Sequence, residues 1–430
     1  MSTTSDPNPA HATAVPTSRA GTLALVGLLA VVTMIGPFTI DTIFPAFEVI
    51  GRDLGGDKVE LQQLISIYLL SFAAASIVHG PLSDALGRKP VMVGGLLLYA
   101  GASVLCALAT SMPLLLLARA VQGLFAGAGL IIARTVVRDL YSGPDAQRFM
   151  SQMSMVFGIA PAIAPIVGGW LLGWSSWQGI FWVLAVYGVL LAGLVALGLP
   201  ESHPPQDRTP VRVGPIVRSL WQCTTDVPVL RLAAAAALNF AGLFLYISSA
   251  PAIVVDHLGL GERDFGVLFI PIVGAMIVGS WLSGRLAERT PKHTLVMVGF
   301  GLSLIGAAFQ VAHEAVSSPS LPWTVAAPAF LGIGMALAFP VIMLDLLELR
   351  PRQRGTVSSV QSLSNTLLNA LVAGVVSPFV SHSMTVLALV AGACTLAAAG
   401  LWMWHVRVHP AVADSAAVST DDSTDTTTDA

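Results

Sequence analysis

The chain reads as an all-α membrane protein whose twelve transmembrane helices form two six-helix bundles. Three observations carry that reading. First, 55% of its 430 residues are hydrophobic and only 10% are charged, with a mean hydropathy of +0.78; soluble proteins run at roughly 25% charged. Second, apolar runs of about 20 residues, the length that crosses a hydrocarbon core of about 30 Å as helix, recur along the whole sequence. Third, features of the first half return in the second at a near-constant offset. Leu82 and Ser83 recur as Leu282 and Ser283, Gln147 and Arg148 as Gln353 and Arg354, and Pro45 as Pro251, steps of 200 to 206 residues. Parallel repeats of this kind pack as two bundles related by an axis along the membrane normal.

In order, the predicted spans are 22–47, 61–83, 90–110, 113–137, 149–172, 178–198, 229–254, 265–286, 293–312, 322–345, 356–380 and 384–405. The first is too long for a secretory signal core, and a second span follows it at once. Residues 1–20, rich in Ser, Thr, Pro and Ala, and 408–430, ending in Asp and Thr, cannot bury apolar surface and are predicted to be disordered tails. Between the two bundles, 21–199 and 229–407, the Pro-rich, Arg-dotted segment 200–228 is the expected cytosolic linker.

Orientation follows from the basic residues. With both termini cytoplasmic, Arg19, Arg88, Lys89, Arg138, Arg148, Arg285, Arg289, Lys292, Arg350 and Arg407 all fall inside, whereas Arg52, Lys58 and Arg263 fall outside. That bias satisfies the positive-inside rule and requires an even number of spans.

Several function classes drop out. A net charge of −3 gives no basic footprint for nucleic acid. Cys106, Cys223 and Cys394 are far apart and unpaired in spacing, so neither a disulfide nor a metal site is expected, and no cofactor is implied. The nine histidines are scattered, with His79 and His257 near span ends, and no intramembrane catalytic set is visible. An enzyme is not expected. The expected partners are the lipid bilayer, a small-molecule substrate and the proton; the chain is expected to act as a monomer in the inner membrane.

Charges within the apolar layer are costly, about 2.5 to 3.5 kcal/mol at a helix centre. Only Asp41 and Arg119 sit well inside it. Each lies six or seven residues from the outer end of its span, so at 1.5 Å per residue they reach the same depth. A pair facing a wet cavity is expected, either as a proton-coupling site or as a static packing link.

The motifs sharpen this. Gly80 to Pro90 (GPLSDALGRKP) places Asp84, Gly87, Arg88 and Lys89 between two apolar runs, and Asp139 at the end of the fourth span could complete a three-charge cluster. The segment resembles the loop between helices 2 and 3 of the major facilitator superfamily (MFS). Thr39 to Ala46 (TIDTIFPA) is similar to the first-helix pattern of bicyclomycin- and chloramphenicol-resistance exporters, the Bcr/CflA type, with Ile43 and Phe44 in place of Tyr and Leu. Leu117 to Leu124 (LARAVQGL) looks like the fourth-helix motif, and Gly158 to Gly169 approximates the fifth-helix antiporter motif through Gly158, Pro161, Pro165, Gly168 and Gly169, with Ala164 at a usual glycine. In the second half Gly284 stands where Asp84 stands in the first, so the charged latch is expected on one side only.

The resemblance implies a drug:proton antiporter working by alternating access, with Asp41 as proton carrier and Arg119 as its partner. The loop cluster would hold the bundles together at the cytosolic end and break when that end opens. An MFS importer or facilitator of a small metabolite remains the alternative. Candidate substrate contacts are Met34 and Phe38 in span 1, Gln122 beside Arg119, Asn239, Phe240, Leu243 and Tyr246 in span 7, and Gln361, Asn365 and Asn369 in span 11. Aromatic and Met walls with a few amides suit an adaptable apolar pocket, and the amides could equally bond helix to helix.

Overall fold

The computed structural model describes residues 19–408, apart from 142, 209–213, 215–221, 287–288 and 351–352. Nearly all of the expected tails, and residues 209–213 and 215–221 of the expected linker, lie outside the described residues. Within them all regular structure is helical, as a bilayer demands of backbone that cannot bond to water.

Twelve helical spans appear in the predicted order. In the first half they are Ala20–Leu54 (span 1), Lys58–Leu86 (2), Arg88–Ala107 (3), Met112–Leu140 (4), Gly143–Leu172 (5) and Trp177–Gly198 (6). The second half holds Val227–Ser248 (7), Gly266–Leu286 (8), Lys292–Val316 (9), Trp323–Glu348 (10), Thr356–Val380 (11) and Met384–Val408 (12). Among the described residues eleven of these are long and apolar enough to cross a membrane, and span 5 contributes the shorter apolar helix Ile159–Leu172.

Prolines shape the irregular spans. Pro45, lacking an N–H, cannot bond the Asp41 carbonyl, and span 1 breaks there into Ile35–Asp41, a 3₁₀ turn Phe44–Ala46 and Phe47–Leu54. Span 7 passes through Pro251 into a π-turn, Ala252–His257, and span 11 carries another, Val372–Val376.

The internal repeat is visible in the packing. Spans 2 and 4, 3 and 4, 3 and 6, and 1 and 5 lie against each other in the first bundle; 8 and 10, 9 and 10, 9 and 12, and 7 and 11 do so in the second. The bundles meet through spans 2 and 11 and, in the mirrored pairing, 5 and 8.

They meet at one end only. Away from the Gly80 loop, Lys58 and Asp256 form an ion pair at 2.5 Å, Gln62 Nε2 donates to Ser248 O at 2.9 Å, Gln63 Nε2 to Gly374 O at 2.8 Å and Ser66 Oγ to Ala370 O at 2.8 Å. Gly169 fits there because any β-carbon would collide with the Glu262 carbonyl, and Gly168 does the same against Thr42 O. One apolar core runs through both bundles at this closed end, while a separate core of spans 7 to 12, around Phe300 and Trp402, stands alone at the other. There a cleft of about 580 Å³ separates Ser76, Gly80, Asp84 and Arg138 from Thr356, Ser362 and Thr366.

The outer surface is that of a membrane protein. Leu97, Leu105, Leu117, Val186 and Leu197 are exposed with no partner surface, a coat that only lipid accommodates. Trp170, Trp174 and Trp323 ring one end, and Trp281 and Trp404 the other, the positions of interfacial aromatic belts.

The one-sided opening is testable by cross-linking after replacing the three native cysteines. In Ser66→Cys/Gly374→Cys the β-carbons start 2.6 Å apart, within about 1 Å of disulfide spacing, and most molecules should cross-link under mild oxidation. Ile77→Cys/Ser362→Cys, on facing walls of the cleft, should stay largely open. Equal yields from the two pairs would refute this arrangement.

Candidate functional site

The break in span 1 sets the site. Asp41 is the last residue of the segment Ile35–Asp41 and is only 3% exposed. Among the described residues no hydrogen bond or ion pair reaches its carboxylate. Arg119, two turns into span 4, is fully buried and anchored in another way: Nε donates to Leu64 O at 3.1 Å, Nη1 donates to Gln122 Oε1 at 2.6 Å, and the guanidinium lies 4.5 Å over the Tyr68 ring.

The expected Asp41–Arg119 contact is therefore not made in this state. Asp41 lies within electrostatic reach of the same Tyr68 ring that Arg119 covers. Depth along a helix says nothing of direction around it, and here span 2 places an aromatic ring at the junction.

The link between the two runs through neutral groups. Thr39, two residues before Asp41, bonds Tyr99 OH at 2.5 Å. One turn on in span 3, Ser103 Oγ donates to Tyr99 O at 2.9 Å, accepts from Gln122 Nε2 at 2.7 Å, and Gln122 holds Arg119. Thr39, Ser103, Gln122 and Arg119 are each 1% exposed or less. A continuous set of bonds thus joins the helix of Asp41 to Arg119. Gln122, expected at the substrate, is committed at both amide ends to this bracket. Thr39, Tyr99 and Ser103 are the residues that a search for charges missed; their only signal was polarity within apolar runs.

The other candidate contacts are dispersed. Phe38 packs on Tyr187 of span 6, ring centroids 5.7 Å apart, and Met34 is half-buried one turn below. In span 7, Phe240 stacks on Phe244 at 6.0 Å, and Leu243 and Tyr246 are fully buried. Asn239 donates to Met335 O at 3.3 Å, a helix-to-helix bond. Its Oδ1, and those of Asn365 and Asn369, have no partner, and Gln361 is buried beside them.

The Gly80 loop forms the three-charge cluster. Arg88 bonds Asp139 at 2.9 Å through Nε, and Asp84 and Ser83 through Nη1. Glu201, just past span 6, accepts from the backbone N–H groups of Arg88 at 2.9 Å and Lys89 at 3.2 Å, capping span 3. Gly87 turns with φ of +103°, and a β-carbon there would strike the Glu201 carboxylate. Every member belongs to the first bundle, and the cluster is intact while the cleft beside it is open. It straps one bundle rather than joining two, contrary to the expectation that opening breaks it.

The second bundle carries its own strap despite Gly284. Lys292 Nζ, at the start of span 9, bonds Asp345 at 2.8 Å and Glu348 at 3.2 Å at the end of span 10. In span 5, Gly168, Gly169, Pro161 and Pro165 lie on the helix that wedges between Thr42 and Glu262; Gly158 lies on the same helix, towards the basic end. Among the described residues no cluster of His, Cys, Asp or Glu could hold a metal ion.

Comparison with known proteins agrees with this geometry. The chain is 25% identical over 375 residues to a bicyclomycin resistance protein homologue of Haemophilus influenzae, covering 87% of this chain and 94% of that one. It is 27% identical over 386 residues to a chloramphenicol resistance protein of Pseudomonas aeruginosa, covering 85% and 90%, and 29% identical over 357 residues to an uncharacterised MFS-type transporter of Bacillus subtilis, covering 82% and 88%. Its fold matches a crystal structure of a bacterial homologue of the human lysosomal transporter Spinster, inward-facing and unoccupied, with a TM-score of 0.70 at 18% identity over 93% of this chain and 100% of that one. The sequence pattern of the Major Facilitator Superfamily spans residues 29–373. Twelve spans in two repeated bundles, the strapped Gly80 loop and this match lead to one conclusion: the chain belongs to the major facilitator superfamily and is a transporter, not an enzyme.

Proposed function

We propose that the protein exports small amphipathic drugs or toxic metabolites in exchange for protons, by alternating access, with Asp41 as the proton carrier. The observation that carries this reading is the Asp41 carboxylate, buried in the membrane layer with no partner among the described residues. Removing a charge from water without a partner costs several kcal/mol. A proton or a cationic substrate removes that cost, and each excludes the other. Mutual exclusion at one carboxylate is the logic of exchange.

The relatives named for resistance to bicyclomycin and chloramphenicol support a drug as the cargo. The cleft of about 580 Å³ has room for one, and the unpaired amide oxygens of Asn239, Asn365 and Asn369 are acceptors in the second bundle. In the proposed orientation the cleft faces the cytosol, both termini lie on that side, and the protein works as a monomer in the inner membrane. With the cleft open inward, Asp41 releases its proton and takes up drug. With the opposite end open, a proton displaces the drug. For a neutral cargo, one proton's charge crossing about 100 mV yields about 2.3 kcal/mol, enough for a gradient of about fiftyfold, whereas a monocation exchanged for one proton moves no net charge and draws on the pH difference alone.

Arg119 and its bracket position the carrier's surroundings. Because Thr39 shares the helix of Asp41, a change at Asp41 reaches span 4 through Tyr99, Ser103 and Gln122.

Asp41→Asn should abolish drug efflux driven by a pH gradient in proteoliposomes while leaving expression and thermal stability near wild type; coupled efflux retained in this variant would refute Asp41 as carrier. Tyr99→Phe removes one hydrogen bond worth about 1 kcal/mol and should cut coupled transport by about fivefold without abolishing it. Gln122→Leu strips Arg119 of a buried acceptor and should cost more, at least tenfold. Unchanged transport in both would remove the bracket from the mechanism.

A further inference from the structure

A second cavity, of about 480 Å³, lies at the closed end, between the bundles and away from Asp41. Its apolar wall is Phe44, Phe47 and Leu61 from the first bundle and Pro251 and Val255 from the second. Gln62 also lines it. That side chain is only 7% exposed; its Nε2 is taken by Ser248 O at 2.9 Å, and its Oε1 has no partner. A buried amide oxygen without a donor costs about 1 to 3 kcal/mol, so the cavity holds an unmet demand for an N–H or O–H group.

The lining also has a charge preference. Glu48, Asp57, Asp256 and Glu262 face Arg52 and Lys58, a formal balance of −2, and Lys58 is already held by Asp256 at 2.5 Å. Glu48, Arg52, Asp57 and Lys58 are exposed, so the mouth opens at that end of the molecule. Aromatic and proline walls, one deep acceptor and an acidic rim together select one ligand chemistry: an apolar body bearing a protonated amine.

We infer that this cavity is a second ligand site, for amphiphilic ammonium compounds, distinct from the Asp41 carboxylate. Its walls come from spans 1 and 2 on one side and from the ends of spans 7 and 11 on the other. It exists as one cavity only while the two bundles touch at this end. An occupant therefore holds that end shut, and a ligand at ten times its dissociation constant shifts the equilibrium towards closure by about elevenfold. Binding itself is independent of the efflux reading; the consequence for transport, arrest with the cleft open, rests on it.

The test uses the full chain in lipid nanodiscs with propranolol, an aromatic secondary amine, as probe and equilibrium binding as readout. Saturable binding is expected. Gln62→Leu should weaken it by about tenfold. Because Gln62 also helps close this end, Glu48→Gln/Glu262→Gln serves as a second variant that leaves the closing bonds intact; it should weaken binding by about threefold at low salt and less at high salt. Tetraphenylphosphonium, a cation with no N–H, should lose less affinity to Gln62→Leu than propranolol does, the difference reporting the lost acceptor rather than the loosened closure. The part of propranolol binding that depends on Gln62 should persist in Asp41→Asn, whatever that variant loses at the Asp41 site, and propranolol should speed Ser66→Cys/Gly374→Cys cross-linking. No saturable binding, binding insensitive to Gln62 and to both glutamates, or loss of the Gln62-dependent part in Asp41→Asn would each overturn the site. Loss only in Asp41→Asn would do so while leaving the export reading standing; proton coupling retained in Asp41→Asn with the Gln62-dependent binding intact would sink the export reading and leave this one.

Discussion

A guanidinium in the middle of a greasy bundle organises the first half of this molecule. Arg119 cannot be neutralised or hydrated where it sits, so its donors must find acceptors and its face a π-cloud, and three neighbouring spans are arranged to supply them. Span 2 gives a backbone oxygen and the Tyr68 ring, span 4 gives Gln122, and span 3 gives Ser103 to hold Gln122 in place. Gln122 and Ser103 are themselves bonded onward, whereas Nη2 of Arg119 and the Tyr68 hydroxyl are buried without a hydrogen-bond partner among the described residues, so the network is held only in part and its open ends are costly. Tyr99 then carries the network to Thr39, beside Asp41. The carboxylate is left outside it. One ion of the membrane layer is anchored on three sides, and its counterpart waits for a ligand.

The same contrast holds at the scale of the bundles. At one end they share an apolar core and direct polar links, Lys58–Asp256, Gln62–Ser248, Gln63–Gly374, Ser66–Ala370 and Arg263–Gly173; at the other each has its own ionic strap. Straps inside a bundle keep its helices moving as one body, so that change is confined to the seam. Lys292 with Asp345 and Arg88 with Asp139 play matching parts, and the closed seam through spans 2 and 11 has its pseudo-symmetric counterpart in spans 5 and 8.

The twelve spans were legible because a bilayer forces length and apolarity onto any helix that crosses it, and no alternative structure competes. Asp41 and Arg119 were legible for the converse reason, a charge being conspicuous where it is expensive. What the sequence withholds is rotation about each helix axis: equal depth suggested contact, and the Tyr68 ring lies at the junction instead. Thr39, Tyr99 and Ser103 were invisible because hydroxyls are common in such helices and mark nothing by themselves. Gln122 was found but misassigned, since an amide reads alike whether it faces cargo or a neighbouring helix. The second strap could have been found. Lys292 follows Arg88 by 204 positions and Asp345 follows Asp139 by 206, the offset of the other repeated features, although Gly284 breaks the match at the position of Asp84.

The π-turns of spans 7 and 11 have a further consequence. The first bundle closes this end with the side chains of Gln62, Gln63 and Ser66, and at those three points the second answers with main-chain oxygens, those of Ser248, Ala370 and Gly374, at or beside these widened turns. Main-chain atoms are the same whatever residue bears them. Ser248 and Ala370 are thus free to drift in composition without loss of these bonds, whereas Gly374, where a β-carbon would strike Ser66, is held to glycine and Asp256 to its charge.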